Sequence, residues 1–221
     1  MLIPKKEFVE RLHDHLLARL GGTTGPLNPQ LLEASIERAK TQVYGKEPFK
    51  GPTRKAIAIS YGVVAWHPFT DGNKRTGVFA LIATLEANGY KMAVPPYLVK
   101  YCVQAALGQD NPHHIDENQF TKKVSALCYK EGSLMRRWKE FRYGKWPNWF
   151  LGQYKELANR FPDSRIYPRV LEGLIFNWYA AEDKDVMAKT LKEWKAAEEQ
   201  GYPKEIEPFE TNLATDFEEI E

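Results

Sequence analysis

The sequence predicts an all-α protein, a helical bundle with an additional helical C-terminal region. Two observations carry that expectation. Apolar residues recur at helical spacing in one segment after another, and the segments are punctuated by cap-and-proline starts and glycine stops. With 221 residues, 43% of them hydrophobic and 27% charged, the chain is long enough for one large helical domain or for a smaller domain with a substantial appendage.

The first helix is expected over residues 4–20, where Phe8, Leu12, Leu16, Leu17 and Leu20 share a face and Gly21-Gly22 supply a stop. Asn28-Pro29 opens a second helix, with a capping side chain followed by a proline at the first position. This helix carries Leu31, Leu32, Ile36 and Ala39 and is expected to end at Tyr44-Gly45. Residues 45–52, bounded by glycine and punctuated by proline, read as an exposed loop or short hairpin. The third helix, about 53–66, is apolar around most of its circumference and is therefore central and buried. Pro68 prevents it from simply continuing. A fourth helix runs from about Asn73 to Asn88-Gly89, and two more are expected over 96–107 and 117–129.

Between the third and fourth helices lies the stretch His67-Pro68-Phe69-Thr70-Asp71-Gly72-Asn73-Lys74-Arg75-Thr76-Gly77. It places a base, an acid, a glycine turn and two cations in one short loop, which is the inventory of a phosphate-handling site. An imidazole such as His67 accepts a proton from an attacking hydroxyl near neutral pH. Asp71 supplies oxygen ligands for a hard cation such as magnesium. Gly72 permits a turn that other residues resist. The helix beginning near Asn73 directs its first backbone N–H groups at an anion, where Lys74 and Arg75 add charge. The plainer reading is a capped turn between two helices with incidental polar residues, but so many specified residue types in fixed register favour the site.

This stretch resembles the signature of the Fic/Doc family, His-Pro-Phe-x-Asp/Glu-Gly-Asn followed by Gly-Arg or Lys-Arg. The resemblance extends over roughly residues 1–130, taking in LHDHLLARLGG near the start and LIATLEANGY after the loop. It implies a Fic/Doc-like bundle in residues 1–130; beyond it, five of the six tryptophans point to a folded helical extension, residues 131–221, that ends in an acidic tail. It further implies that His67 is the base for a target hydroxyl, that Asp71 binds Mg2+, and that Gly72, Asn73, Lys74 and Arg75 grip the phosphates of ATP or another nucleotide. Phe69 would anchor the loop. Asn73 would orient the loop or the phosphate, and the segment 45–51 would lie where the family often carries a target-positioning flap.

Two departures separate the chemistries within the family. The AMP-transferring signature has Gly at the position of Lys74 and a second Arg at the position of Val78, and this chain has neither. Both features resemble the Doc (death-on-curing) branch, toxins that transfer the terminal phosphate of ATP to a threonine of elongation factor Tu. Pro68 and Gly72 are closer to the Fic form, so protein AMPylation or another nucleotidyl transfer stays open as the alternative, and a catalytically silent binding module as a third. The Doc resemblance also implies a toxin-antitoxin setting, with a protein substrate of the elongation factor Tu kind and an antitoxin as partners.

The remaining residues set limits. The net charge of +2, from 31 basic and 29 acidic residues, gives no bulk argument for nucleic acid. Cys102 and Cys128 read as buried thiols of a reducing compartment rather than a disulfide pair. The N-terminal stretch has neither the apolar run of a signal peptide nor that of a membrane span, so a cytoplasmic location is expected. His13, His15, His113 and His114 read as solvated surface residues, and Arg19, Arg38 and Arg54 read equally well as ordinary surface positions or as side chains that reach a nucleotide. From about Ser133, bases alternate with aromatics through Trp146, a pattern better assigned to packing than to nucleic-acid stacking. The acidic end, residues 204–221, reads as a frayed terminus and lacks the Ser/Thr-x-x-x-Glu-Gly/Asn inhibitory signature found in many Fic proteins. Residues 133–221 acting as a built-in substitute for an antitoxin is the sharper alternative.

Overall fold

The computed structural model of the chain describes residues 1–20, 22–23, 27–93, 98–133 and 209–220. Chain order gives strand β1 (Leu2–Pro4) and helices α1 (Lys6–Leu20), α2 (Pro29–Glu37), α3 (Gly51–Trp66) and α4 (Asn73–Ala87). Then come β2 (Tyr90–Met92), α5 (Leu98–Ala106), α6 (Glu117–Ser125), β3 (Cys128–Lys130), a short helix α7 (Leu213–Asp216) and β4 (Phe217–Glu219). The aromatic-rich segment from residue 135 to Trp194 lies outside the described residues.

Helix α3 is the axis of the bundle, as its all-round apolarity requires. Ala56, Ile57, Ile59, Val63 and Val64 have no exposed surface, and α2, α4, α5 and α6 all pack against it. Its closest neighbour, α4, approaches through Gly77, where a methyl group would lie 2.5 Å from Val64 Cγ2. Only a residue without a side chain allows that contact. On one side of this helix pair, Leu98, Cys102, Phe120, Val124 and Leu127 close a core with α5 and α6. On the other, Ile3, Phe8, Leu12, Leu16, Leu32, Ile36 and Phe69 close a second core with β1, α1 and α2.

The expected starts of α2 and α4 are observed. Asn28 caps α2 by accepting from Leu31 N–H at 3.1 Å, and Gly72 caps α4 in left-handed backbone, φ 74°. The end of α2 is corrected: it stops at Glu37, not at Tyr44-Gly45. Those two residues have φ 50° and 70° and form the tip of a two-residue hairpin in which Val43 and Lys46 exchange both backbone hydrogen bonds. The glycine signal there belonged to a turn between extended residues rather than to a helix stop.

The described residues are mostly helical, as expected, with two small sheets that the all-α reading left out. The last expected helix stops at Ser125, and Cys128–Lys130 pairs antiparallel with Tyr90–Met92. Leu2–Pro4, expected in part to belong to α1, pairs with Phe217–Glu219, and the Asn88 side chain accepts from Leu2 N–H and donates to Leu2 O. Residues 209–220 are therefore not a frayed end. Phe217 is buried with its ring 5.0 Å from that of Phe8, and Phe209 lies at 5.6 Å. Asp216 is buried and pairs with Arg11 at 2.6 Å, and Glu218 pairs with Lys40 at 2.6 Å. The acidic composition of this segment meets specific cations, and its two aromatic anchors supply the apolar contact.

Candidate active site

Helix α3 ends at His67, which adopts left-handed backbone, φ 49° and ψ 59°. That conformation is uncommon for a residue with a side chain and is held only where surrounding structure imposes it. Here the loop is closed by Asn73: its Oδ1 accepts from Phe69 N–H at 2.9 Å and its Nδ2 donates to Phe69 O at 2.7 Å. The Asn73 side chain is thus turned onto the loop. Phe69 is buried in the core shared with α1 and α2, and Pro68 O accepts from Asn28 N–H at 2.8 Å, tying the loop to the start of α2. A fixed loop between two core helices is a favourable place for groups that must hold a reacting geometry.

His67 is exposed at the mouth of an open cleft of about 610 Å³ that runs between residues 27–30 and residues 67–70. Burial on its loop side and the charge of Lys74 both push its pKa below the ordinary histidine value, which favours the neutral, proton-accepting ring. Asp71 has a side chain 44% exposed. Partial burial works to raise its pKa, but hydrogen bonds from Thr23 N–H (3.1 Å) and Gly72 N–H (2.6 Å), with the charges of Arg75 and Lys74, outweigh it and hold the carboxyl below its usual range. Arg75 lies 3.7 Å from Asp71 Oδ2. Gly72 offers α4 no capping side chain, so the N-terminal end of that helix, which carries Lys74 and Arg75, is an anion-favouring dipole end.

Among the described residues no cluster of three or more His, Cys, Asp or Glu is placed to hold a metal. A single ionised, partly exposed carboxylate fits a magnesium ion that arrives on a nucleotide and draws its other ligands from phosphate and water.

The site has a second wall that sequence reasoning missed. His13, expected at the surface, is 7% exposed. Its ring stacks on Phe69 at 3.9 Å and 7°, and Nε2–H donates to the Asp71 carbonyl at 3.1 Å. Past the end of α1, Gly22 passes so close that a methyl group there would lie 2.5 Å from Leu17 Cδ2, 2.8 Å from Asp71 Oδ2 and 2.9 Å from an Arg75 guanidinium nitrogen. Thr23 follows and supplies its N–H to Asp71. Arg38 is also not an ordinary surface residue: it is enclosed by Trp66 (4.7 Å), Phe49 (5.3 Å) and Tyr61 (5.8 Å) and pairs with Glu117. His113 and Arg54 are exposed as expected, and the Arg19 side chain is outside the described residues.

Cys102 and Cys128 are both buried and unpaired with each other, and burial pushes the Cys102 thiol up to about 12. Among the described residues no helix is long and apolar enough to cross a membrane.

Residues 4–85, from the end of β1 almost to the end of α4, match the Fic/DOC family. No curated protein and no solved structure matches the chain.

Proposed function

We propose that this chain is a Fic/Doc-type transferase that moves a phosphate-containing group from a nucleotide to a hydroxyl of a protein, and that the group is the terminal phosphate of ATP, as in the Doc branch. The observation that carries this reading is the placement of His67. It stands at the cleft, favoured in its neutral form, on a loop that leads directly into Asp71 and the N-terminal end of α4. In-line phosphoryl transfer asks a protein mainly for positioning and charge neutralisation, and these groups offer both.

In the reaction, His67 accepts the proton of a Ser or Thr hydroxyl as its oxygen attacks phosphorus, and the bond from phosphorus to the nucleotide oxygen breaks. Lys74 and Arg75 place positive charge beside the α4 terminus, where the phosphates lie. Asp71 would hold Mg2+, which would neutralise phosphate charge when bound. Phe69 and Asn73 keep the loop closed. Residues 1–130 carry the catalysis in this reading, and residues 131–221 form an appendage whose end returns to α1. The target is a translation factor of the elongation factor Tu kind in the cytoplasm, and an antitoxin restrains the activity.

Val78 supports phosphate rather than nucleotidyl transfer. It is buried in the core formed with α5 and α6, so the position of the second arginine of AMP-transferring enzymes contributes no phosphate clamp. AMPylation is the second reading, favoured by Pro68 and Gly72. The test is to incubate the protein with elongation factor Tu and other translation factors, ATP and Mg2+, and to weigh the intact targets. A gain of about 80 Da, absent with His67→Ala, supports phosphoryl transfer. A gain of a nucleoside monophosphate moves the protein to the AMPylating branch, and no modification of any target counts against both readings.

A further inference from the structure

We propose that His13 is a positioning residue of the site: it fixes the main chain at Asp71 and the ring of Phe69, and so holds the acid and the α4 terminus in register with His67. The inference rests on the transferase reading for its kinetic consequences, but the contacts stand independently of it.

The Asp71 carbonyl can only accept a hydrogen bond, so in this contact His13 Nε2, at 3.1 Å, is the donor. That bond sets the orientation of the peptide joining Asp71 to Gly72. The N–H of the same peptide donates to Asp71 Oδ1 at 2.6 Å, so rotation of the peptide would carry the carboxylate with it. His13 and Leu17 also close over Gly72. A methyl group at Gly72 would meet Leu17 Cδ2 at 3.2 Å and His13 Cδ2 at 3.4 Å. The flat stack on Phe69, 3.9 Å and 7°, fixes the other end of the loop, and Phe69 is the residue that Asn73 clamps.

One imidazole therefore touches both loop residues on which the geometry between His67 and Asp71 depends. The outer face of the ring, at Nδ1, meets Asp14 Oδ1 at 3.1 Å, and Asp14 is 81% exposed, so that contact lies on the solvent side. A histidine kept only for packing would need neither the aligned donor nor the parallel ring. Supporting groups of this kind typically change metal affinity or activity by about 10- to 100-fold when removed.

The experiment separates the donor from the ring in the full-length protein. His13→Gln keeps a donor of similar reach and removes the ring, His13→Phe keeps the ring and removes the donor, and His13→Ala removes both. Amide hydrogen exchange is followed at residues 69–75 and, as a reference, along α3 and α6. The expected result for His13→Ala is faster exchange at residues 69–75 with α3 and α6 unchanged, and a Mg2+ requirement for half-maximal turnover raised about 10-fold or more with a smaller fall in kcat. His13→Gln should recover most of the Mg2+ response. Unchanged exchange at residues 69–75, or an equal increase throughout α3 and α6, overturns the proposal. A wild-type protein that modifies no target sinks the transferase reading alone, because the exchange comparison still decides the role of His13.

Discussion

The two walls of the site differ in how their residues are gathered. The reacting wall is drawn from residues 67–75, a single loop and the first turn of α4. The supporting wall comes from α1 and Gly22–Thr23, and α1 is itself backed by residues 209–220 through Phe8 and Arg11. In the proposed reaction, chemistry would restrict the residue types of the first wall, since a base, an acid and phosphate-binding N–H groups have few substitutes. Support demands shape and one aligned donor, which many side chains could supply. The first wall therefore shows in the chain as a motif, whereas the second shows only when it is folded.

The sharpest way to separate the walls is to remove chemistry from one and packing from the other. His67→Ala should lower turnover by about 10²- to 10⁴-fold, with a thermal melt close to that of the wild type, because the side chain is exposed. A large fall in melting temperature would show that His67 also belongs to the supporting structure. Phe217→Ala should do the reverse. Removing a buried ring of this kind costs about 3–5 kcal/mol, measurable as a lower urea midpoint, while the fraction that remains folded keeps its turnover.

Gly22→Ala probes the seam between the walls. The residue has φ 143° and approaches Asp71 and Arg75 closely, so a side chain there adds strain of about 1–3 kcal/mol. Both stability in urea and the Mg2+ response should worsen; a variant that lost neither would break the idea that this segment fixes Asp71. The smallest effect is expected from Lys74→Gln, read from the pH dependence of turnover. In the proposed reaction His67 would work as a neutral base with a lowered pKa, so activity should rise as pH increases through that value. Taking away the Lys74 charge removes the second cause of the lowering and shifts the acid limb to higher pH, still short of the ordinary histidine value because burial remains.

What was legible follows from the length and regularity of each signal. The bundle could be read because α1 to α4 repeat their apolar contacts over nine to sixteen residues and because Asn28 and Gly72 mark helix starts. Three-residue strands such as β1 and β3 are too short to establish a period of two. Their pairing depends on partners distant in the chain. His13 did leave a trace: it follows Val9 by four residues and precedes Leu16 and Leu17 by three and four, so it occupies the apolar face of α1. A polar side chain at such a position asks for a buried partner. The charged neighbours Arg11 and Asp14 hid it.

The pairing of β1 with β4 has a consequence in time. The ribosome adds about 5–20 residues each second, so Leu2–Pro4 must wait on the order of 10–40 s before Phe217–Glu219 exists to pair with it. Throughout that interval the face of α1 around Phe8 lacks the cover of Phe217, although residues 67–75 have long been made. Whatever order α1 receives from the returning segment, the nascent chain acquires it only after residues 217–219 have been made.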